Sequence, residues 1–250
     1  MRKFKKYLIL ILVLIGLSAT GAIFFQLKEK FSPSSVPLAI NYNEAPSLQA
    51  KNLVNITADI TLPEEVNLNI PFTSQAPAQN WSLPYQQFCE EASVLMVNSY
   101  INNQPILNSN DADKKLLAIM DFEIKKFGFY EDTNVSETAT IFKEHFGITK
   151  VEVVLNPTIE NIKSALAEGR AIVVPLAGRE LGNPYYQQPG PLYHMLVIKG
   201  YKKNGDFITN DPGTKKGADF IYKADVIMKA IHDWNGGNVN AGEKIILVVG

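Results

Sequence analysis

The chain contains one cysteine, and its position is favourable for chemistry. Cys89 opens a largely apolar stretch that continues to Ile101 without helix-breaking residues and has the composition of a buried helix. A thiol at the start of a helix faces unpaired backbone N–H groups and the positive end of the helix dipole, and both lower the thiol pKa. A lone cysteine is often only a core residue. Other residues must therefore decide between packing and nucleophilic catalysis.

Two later residues are the partners that a nucleophilic thiol needs. His194 opens a strand-like stretch, and Asp211 follows the next short strand. The turn signal Asn204-Gly205 between them predicts a hairpin that returns Asp211 to the end of the sheet where His194 lies. We expect His194 to hold the thiol proton and Asp211 to fix the tautomer and orientation of the ring. Asn210 is an alternative orienting group.

Attack on a carbonyl group also needs donors for the negative charge that develops on its oxygen. These donors are typically the backbone N–H of the nucleophile and one side-chain amide. Gln75, Gln86 and Gln87 all precede the cysteine and are candidates for this amide. We favour Gln75, because it directly follows a short strand-like segment, and the other two remain alternatives.

The elements that position these residues fall into an earlier helical part and a later strand-rich part. This order favours an α+β fold over a doubly wound sheet. A long loop from Ala177 to Tyr193, rich in Gly and Pro, leads directly into His194, and loops of this length are often functional. The predicted helices are Cys89–Ile101, Asp113–Phe127, Glu137–Phe146, Thr158–Glu168 and Lys223–Trp234, and the predicted strands are Val151–Leu155, Ala171–Leu176, His194–Tyr201, Asp206–Thr209 and Lys244–Val249.

The N-terminal part differs from the rest of the chain. A cationic segment that ends at Lys6 precedes a run from Tyr7 to Phe25 without any charged residue. Such a run is long enough to span a bilayer as a helix, and its cationic flank is expected to stay in the cytoplasm. We therefore assign residues 1–30 to a membrane anchor, 31–66 to an extracytoplasmic linker and 67–250 to the folded domain. A cleaved signal peptide is the alternative for residues 1–30, and the protein would then be secreted.

Composition excludes several other classes of function. The formal net charge of −1 provides no basic surface of the kind that binds nucleic acid. With a single cysteine, no disulfide can form within the chain, and a structural zinc site is not expected.

Several segments carry a resemblance when they are taken together. They are Ile70–Pro77, Asn80-Trp81, Tyr85-Gln86, Cys89–Ser93, His194–Tyr201 and Asn210–Gly213. Over residues 68–249, the chain resembles the C39-like branch of the papain-like cysteine peptidases, relatives of the leader peptidase domains of bacteriocin exporters. The resemblance implies a papain-like fold, no cofactor, Cys89 as nucleophile, His194 as base, Asp211 as orienting acid and Gln75 as oxyanion donor.

The residues after the cysteine depart from the pattern of these relatives, which commonly carry Cys-Gly-Pro. This chain has Glu90 and Glu91 there, and two carboxylates suit the helix dipole but oppose thiolate formation.

We expect a membrane-anchored, extracytoplasmic cysteine peptidase that hydrolyses peptide or isopeptide bonds in a peptide or protein substrate. The alternatives are an inactive module that binds peptides or cell-wall fragments, and acyl transfer to an amine by the same residues.

Overall fold

A computed structural model describes residues 36–42, 44 and 62–250 of the chain. The predicted anchor at residues 1–30 and most of the predicted linker at residues 31–66 lie outside these ranges. Within the described ranges, no helix is both long enough and apolar enough to cross a membrane. The division of the chain into anchor, linker and domain stays a prediction.

The centre of the fold is an antiparallel sheet of seven strands. Its main path has the order β2-β7-β3-β4-β5-β6, and β1 pairs with β4 beside this path. Every pairing between these strands is antiparallel. The strands are β1 Val66–Asn67, β2 Val151–Leu155, β3 Ala171–Ala177, β4 Tyr193–Tyr201, β5 Phe207–Asn210, β6 Phe220–Tyr222 and β7 Ile245–Val249.

The middle strands β3 and β4 are buried along their whole length. The first part of β4 pairs with β3, and its last two residues pair with β1. At Gly200 the backbone of β1 comes so close that an added Cβ atom would lie 2.1 Å from the carbonyl oxygen of Val66. Only glycine therefore allows β1 to pair at this position.

Helices cover this sheet, and the first of them is enclosed by the core. α1 spans Cys89–Ile101, and every residue from Cys89 to Tyr100 is buried, as its apolar composition predicts. Its Ser93 hydroxyl donates to the carbonyl oxygen of Met195 in β4 at 3.2 Å, which ties the helix to the middle of the sheet. The remaining α-helices of the described ranges are α2 Ser109–Phe127, α3 Val135–Thr140, α4 Ile159–Ala167 and α5 Ala224–Ala230.

The predicted α+β class is confirmed, and two helix starts need correction. α2 begins at Ser109 instead of Asp113, because the Asn108 side chain caps it by accepting from the N–H groups of Asn110 and Asp111. The helix predicted from Glu137 begins earlier, at Val135, because Asn134 forms a capping box with Glu137. Its second half, Ile141–His145, is a π-helix.

The end of the predicted helix Lys223–Trp234 is wrong. α5 stops at Ala230, and the next two residues pair with β3 instead. Ile231 forms a bridge with Leu176, and the N–H of His232 donates to the carbonyl oxygen of Pro175 at 3.2 Å. The short strand β6 was not predicted, and it contributes Tyr222 to the site.

Candidate active site

His194 and Asp211 meet at one end of the hairpin formed by β4 and β5. His194 is the second residue of β4, and Asp211 directly follows the last residue of β5. Nε2 of His194 lies 2.8 Å from Oδ1 of Asp211, and only 1% and 0% of the two side chains is exposed. The contact expected from the hairpin is therefore present, with a bulge between Ile198 and Gly200 adjusting the register.

The Asp211 carboxylate accepts further hydrogen bonds that the sequence did not indicate. Oδ1 also accepts from the N–H of Gly213, and Oδ2 accepts from Tyr222 at 2.6 Å, Tyr186 at 2.7 Å and Asn183 at 2.9 Å. Burial alone would raise the pKa of Asp211, but the His194 ring and the tyrosine hydroxyls outweigh it and hold that pKa below its ordinary value. Asp211 is therefore an ionised group that fixes the histidine ring.

The histidine ring is also held from the side. The rings of Tyr186 and His194 pack edge to face with centroids 5.4 Å apart. Because Nε2 is bound to Asp211, Nδ1 is the ring nitrogen left for a second partner.

Cys89 is the first residue of α1, directly after the short 3₁₀ turn Tyr85–Gln87 and the capping residue Phe88. Its thiol donates to Oε2 of Glu90 at 3.0 Å. The prediction that the thiol pKa is lowered is wrong. Burial raises the pKa of Cys89 well above its ordinary value, and Glu90 adds to this, while a contact with the backbone N–H of Met195 opposes it. Near neutral pH the thiol therefore favours its protonated form, and it contacts a carboxyl group.

Three buried carboxyl groups lie beneath the thiol, on α1 and α2. They belong to Glu90, Glu91 and Glu123, and all three are 0% exposed. Burial raises the pKa of Glu90 to about 8 and that of Glu123 to about 9, and it raises the pKa of Glu91 strongly as well. Near neutral pH these groups therefore keep their protons, which removes most of the negative charge that would oppose a thiolate.

A cleft of about 850 Å³ brings Cys89 and His194 together in one lining, while Asp211 lies behind the histidine. The three candidate glutamines also line this cleft. Gln75 is 5% exposed, and its Nε2 donates to the carbonyl oxygen of Tyr85 at 3.0 Å. Gln87 is half-buried and Gln86 is exposed, so Gln75 is the most firmly held of the three.

The rest of the cleft wall comes from the loop before β4 and from aromatic residues. The loop contributes the stretch from Tyr185 to Leu192, and Trp81 and Trp234 also line the cleft. In the part of the chain that the structure describes, no group of three His, Cys, Asp or Glu side chains is placed to hold a metal ion.

A comparison with known protein families gives a match over this region. A family model described as "Peptidase_C39 like family" matches residues 67–237, which include the cysteine, the histidine and the aspartate of the cleft. The chain belongs to the peptidase C39-like family. No curated protein matches the chain.

Two solved structures are similar to the chain at low sequence identity. One, from Bacillus anthracis, is described as a C39-like peptidase; it is 16% identical, with a TM-score of 0.49, and the match covers 75% of this chain and 98% of that one. The other is a fragment of prointerpain A from Prevotella intermedia; it is 15% identical, with a TM-score of 0.38, and the match covers 83% of this chain and 62% of that one.

The contact between Cys89 and Glu90 predicts a pH-dependent reactivity of the thiol. Glu90→Gln keeps an acceptor beside the sulfur but removes the carboxylate that forms as the pH rises through about 8. Wild type and Glu90→Gln should therefore react alike with iodoacetamide at pH 6. Above pH 8 the variant should react faster, on the order of tenfold, because no negative charge opposes the thiolate. The measurement is the rate of Cys89 alkylation between pH 5 and 10.

Glu91→Gln is the matched control for this experiment. Glu91 is equally buried and adjacent in sequence, but the Cys89 thiol donates to Glu90 and not to it. We expect a smaller change in its alkylation profile. Superimposable profiles for wild type and Glu90→Gln would contradict the assigned contact.

Proposed function

We propose that the protein is a cysteine peptidase in which Cys89 is the nucleophile, His194 the general base and Asp211 the orienting acid. One observation carries the proposal: a buried, hydrogen-bonded His194–Asp211 pair opens onto the cleft that Cys89 also lines. Membership of the peptidase C39-like family supports the same assignment.

The geometry supports a two-step acyl transfer. The thiol turns from Glu90 toward the free Nδ1 of His194, which takes its proton as the sulfur attacks the carbonyl carbon of the substrate. The C–N bond then breaks, and the leaving amine takes this proton from the ring. In the second step His194 removes a proton from water, the hydroxide attacks the thioester, and the carboxylic acid product leaves as the thiol regains its proton. Asp211 holds the ring through Nε2 in both steps.

The negative charge on the attacked oxygen needs fixed donors. The first N–H groups of a helix have no partner inside the helix, so the N–H of Cys89 is one such donor. Gln75 is the second in this proposal, because one of its two amide N–H bonds is anchored on Tyr85 while the residue lines the cleft. Its second N–H bond is then available for the oxyanion.

Hydrolysis of a peptide library tests this proposal. We compare the full-length protein with Cys89→Ala and His194→Ala, in the presence of a reductant because a thiol that lines a cleft can oxidise. Mass spectrometry should detect cleavage by wild type and a loss of at least about 10³-fold in both variants. His232→Gln is the matched control, because Nδ1 of His232 lies 2.9 Å from the carbonyl oxygen of Gly242 and the residue lies outside the cleft lining. Cleavage that survives in Cys89→Ala would contradict the proposal.

One observation favours a second function, an inactive module that binds peptides or cell-wall fragments. The thiol is protonated and hydrogen-bonded to Glu90, and its pKa is raised. In that case wild type and Cys89→Ala are equally inert and bind the same ligands in the cleft. Products formed with an added amine distinguish hydrolysis from acyl transfer to that amine.

We further propose that residues 1–30 anchor the protein in a membrane, with the folded domain outside the cytoplasm. The charge-free run from Tyr7 to Phe25 after a cationic segment supports this. We expect the protein to stay with membranes after alkaline extraction and its domain to be digested by protease added to intact cells. Recovery of an undigested protein, or of one released by alkali, would contradict this location.

A further inference from the structure

Asp132 is a charged residue of the cleft that the proposed mechanism does not use. It lies in the turn between α2 and α3, with a left-handed backbone φ of 51°. Its side chain is half-buried and lines the same cleft as Cys89 and His194. Among the described residues that form this lining, it is the single carboxylate.

The Asp132 carboxylate has no counter-charge within the described residues. No described side chain forms an ion pair or hydrogen bond with it. Burial, followed by the charge of Glu131, raises its pKa, and no neighbouring group acts in the opposite direction. The two lysines of the cleft lining, Lys215 and Lys216, are exposed, and Lys216 lies over the ring of Tyr185 at 4.4 Å instead. This half-buried carboxylate is therefore available to pair with a cationic group that enters the cleft.

An aromatic side chain belongs to the same wall of the cleft. The carbonyl oxygen of Thr133, the next residue, accepts from the Tyr193 hydroxyl at 3.1 Å. The Tyr193 ring packs on Trp234 with centroids 5.5 Å apart, and Trp234 lines the cleft. Asp233 holds these segments together, because it accepts from the N–H of Val135 and its Oδ1 lies 3.3 Å from the Tyr193 hydroxyl. Asp132 is thus linked to the Trp234 ring through its neighbour Thr133 and the buried side chain of Tyr193.

We propose that Asp132 and Trp234 form a subsite for a positively charged group of the substrate, either a lysine side chain or a free amino terminus. The carboxylate supplies the opposite charge, and the indole face attracts the cation. A neutral side chain of the same length leaves the carboxylate unpaired. The subsite therefore prefers a cationic side chain over a neutral one. This subsite rests on the proposed function, because it assigns the cleft to a substrate peptide.

Peptide binding to the full-length Cys89→Ala protein tests the subsite without any turnover. The probes are four mixtures of pentapeptides with random neutral flanking residues. Three have blocked ends and carry lysine, norleucine or glutamate at the centre, and the fourth is lysine-free with a free amino terminus. Titration calorimetry should show that a cationic mixture binds about tenfold more tightly than the norleucine mixture. The glutamate mixture should bind most weakly.

Asp132→Asn in the same background should remove this preference and leave the norleucine affinity unchanged. Asparagine tolerates the left-handed backbone, so the turn is preserved. Glu131→Gln is the matched control, because Glu131 is an adjacent acid outside the cleft lining and should keep the preference. Trp234→Leu should weaken binding of the cationic mixtures more than that of the norleucine mixture.

Each possible result either supports or contradicts the subsite. Equal affinities for the cationic and norleucine mixtures, or a preference that persists in Asp132→Asn, would overturn the subsite. Which cationic mixture is preferred distinguishes a lysine side chain from an amino terminus. A cation preference in a protein that never hydrolyses peptides would refute the peptidase and retain the subsite.

Discussion

The buried carboxylate of Asp211 is the interaction on which the cleft depends. It is 0% exposed and ionised, and an ion without partners in such a place would cost several kcal/mol. Its donors come from β4, β6, the loop before β4 and its own turn, through His194, Tyr222, Asn183, Tyr186 and Gly213. These four segments must therefore converge, and their convergence forms one wall of the cleft and fixes the histidine ring.

The pKa values of the carboxyl groups near Cys89 are raised, whereas that of Asp211 is lowered. Glu90, Glu91 and Glu123 are as deeply buried as Asp211, but for these three groups burial prevails and raises the pKa. They therefore stay protonated near neutral pH, whereas Asp211 stays charged. The buried acids around the cleft thus comprise a charged one behind the histidine and neutral ones near the thiol. In the proposed mechanism the thiol is activated by moving its proton to His194, since it holds that proton at rest.

The sequence predicted most of the fold because its signals were local. The apolar run of α1 gave the bounds Cys89–Ile101 that the structure has, and Thr158 caps α4 as expected. The end of the predicted helix at Trp234 failed because pairing of Ile231 with β3 overrode local helix propensity. The contact between His194 and Asp211 was predictable from the hairpin turn. The donors Asn183, Tyr186 and Tyr222 were not, because they come from a loop and an unpredicted strand. The sequence pattern at Glu90 indicated an opposing charge, but burial, which decides the protonation of Glu90 and of Cys89, is a tertiary property.

Nitrogen-15 NMR of the His194 ring tests the central claim most directly. The chain has three histidines, so comparison with His194→Gln assigns the signals. The account predicts that the neutral ring carries its proton on Nε2, with a hydrogen bond to Asp211, and leaves Nδ1 unprotonated for the thiol. A neutral ring protonated on Nδ1 would contradict it, because that ring could not accept the proton of Cys89 while Asp211 holds it.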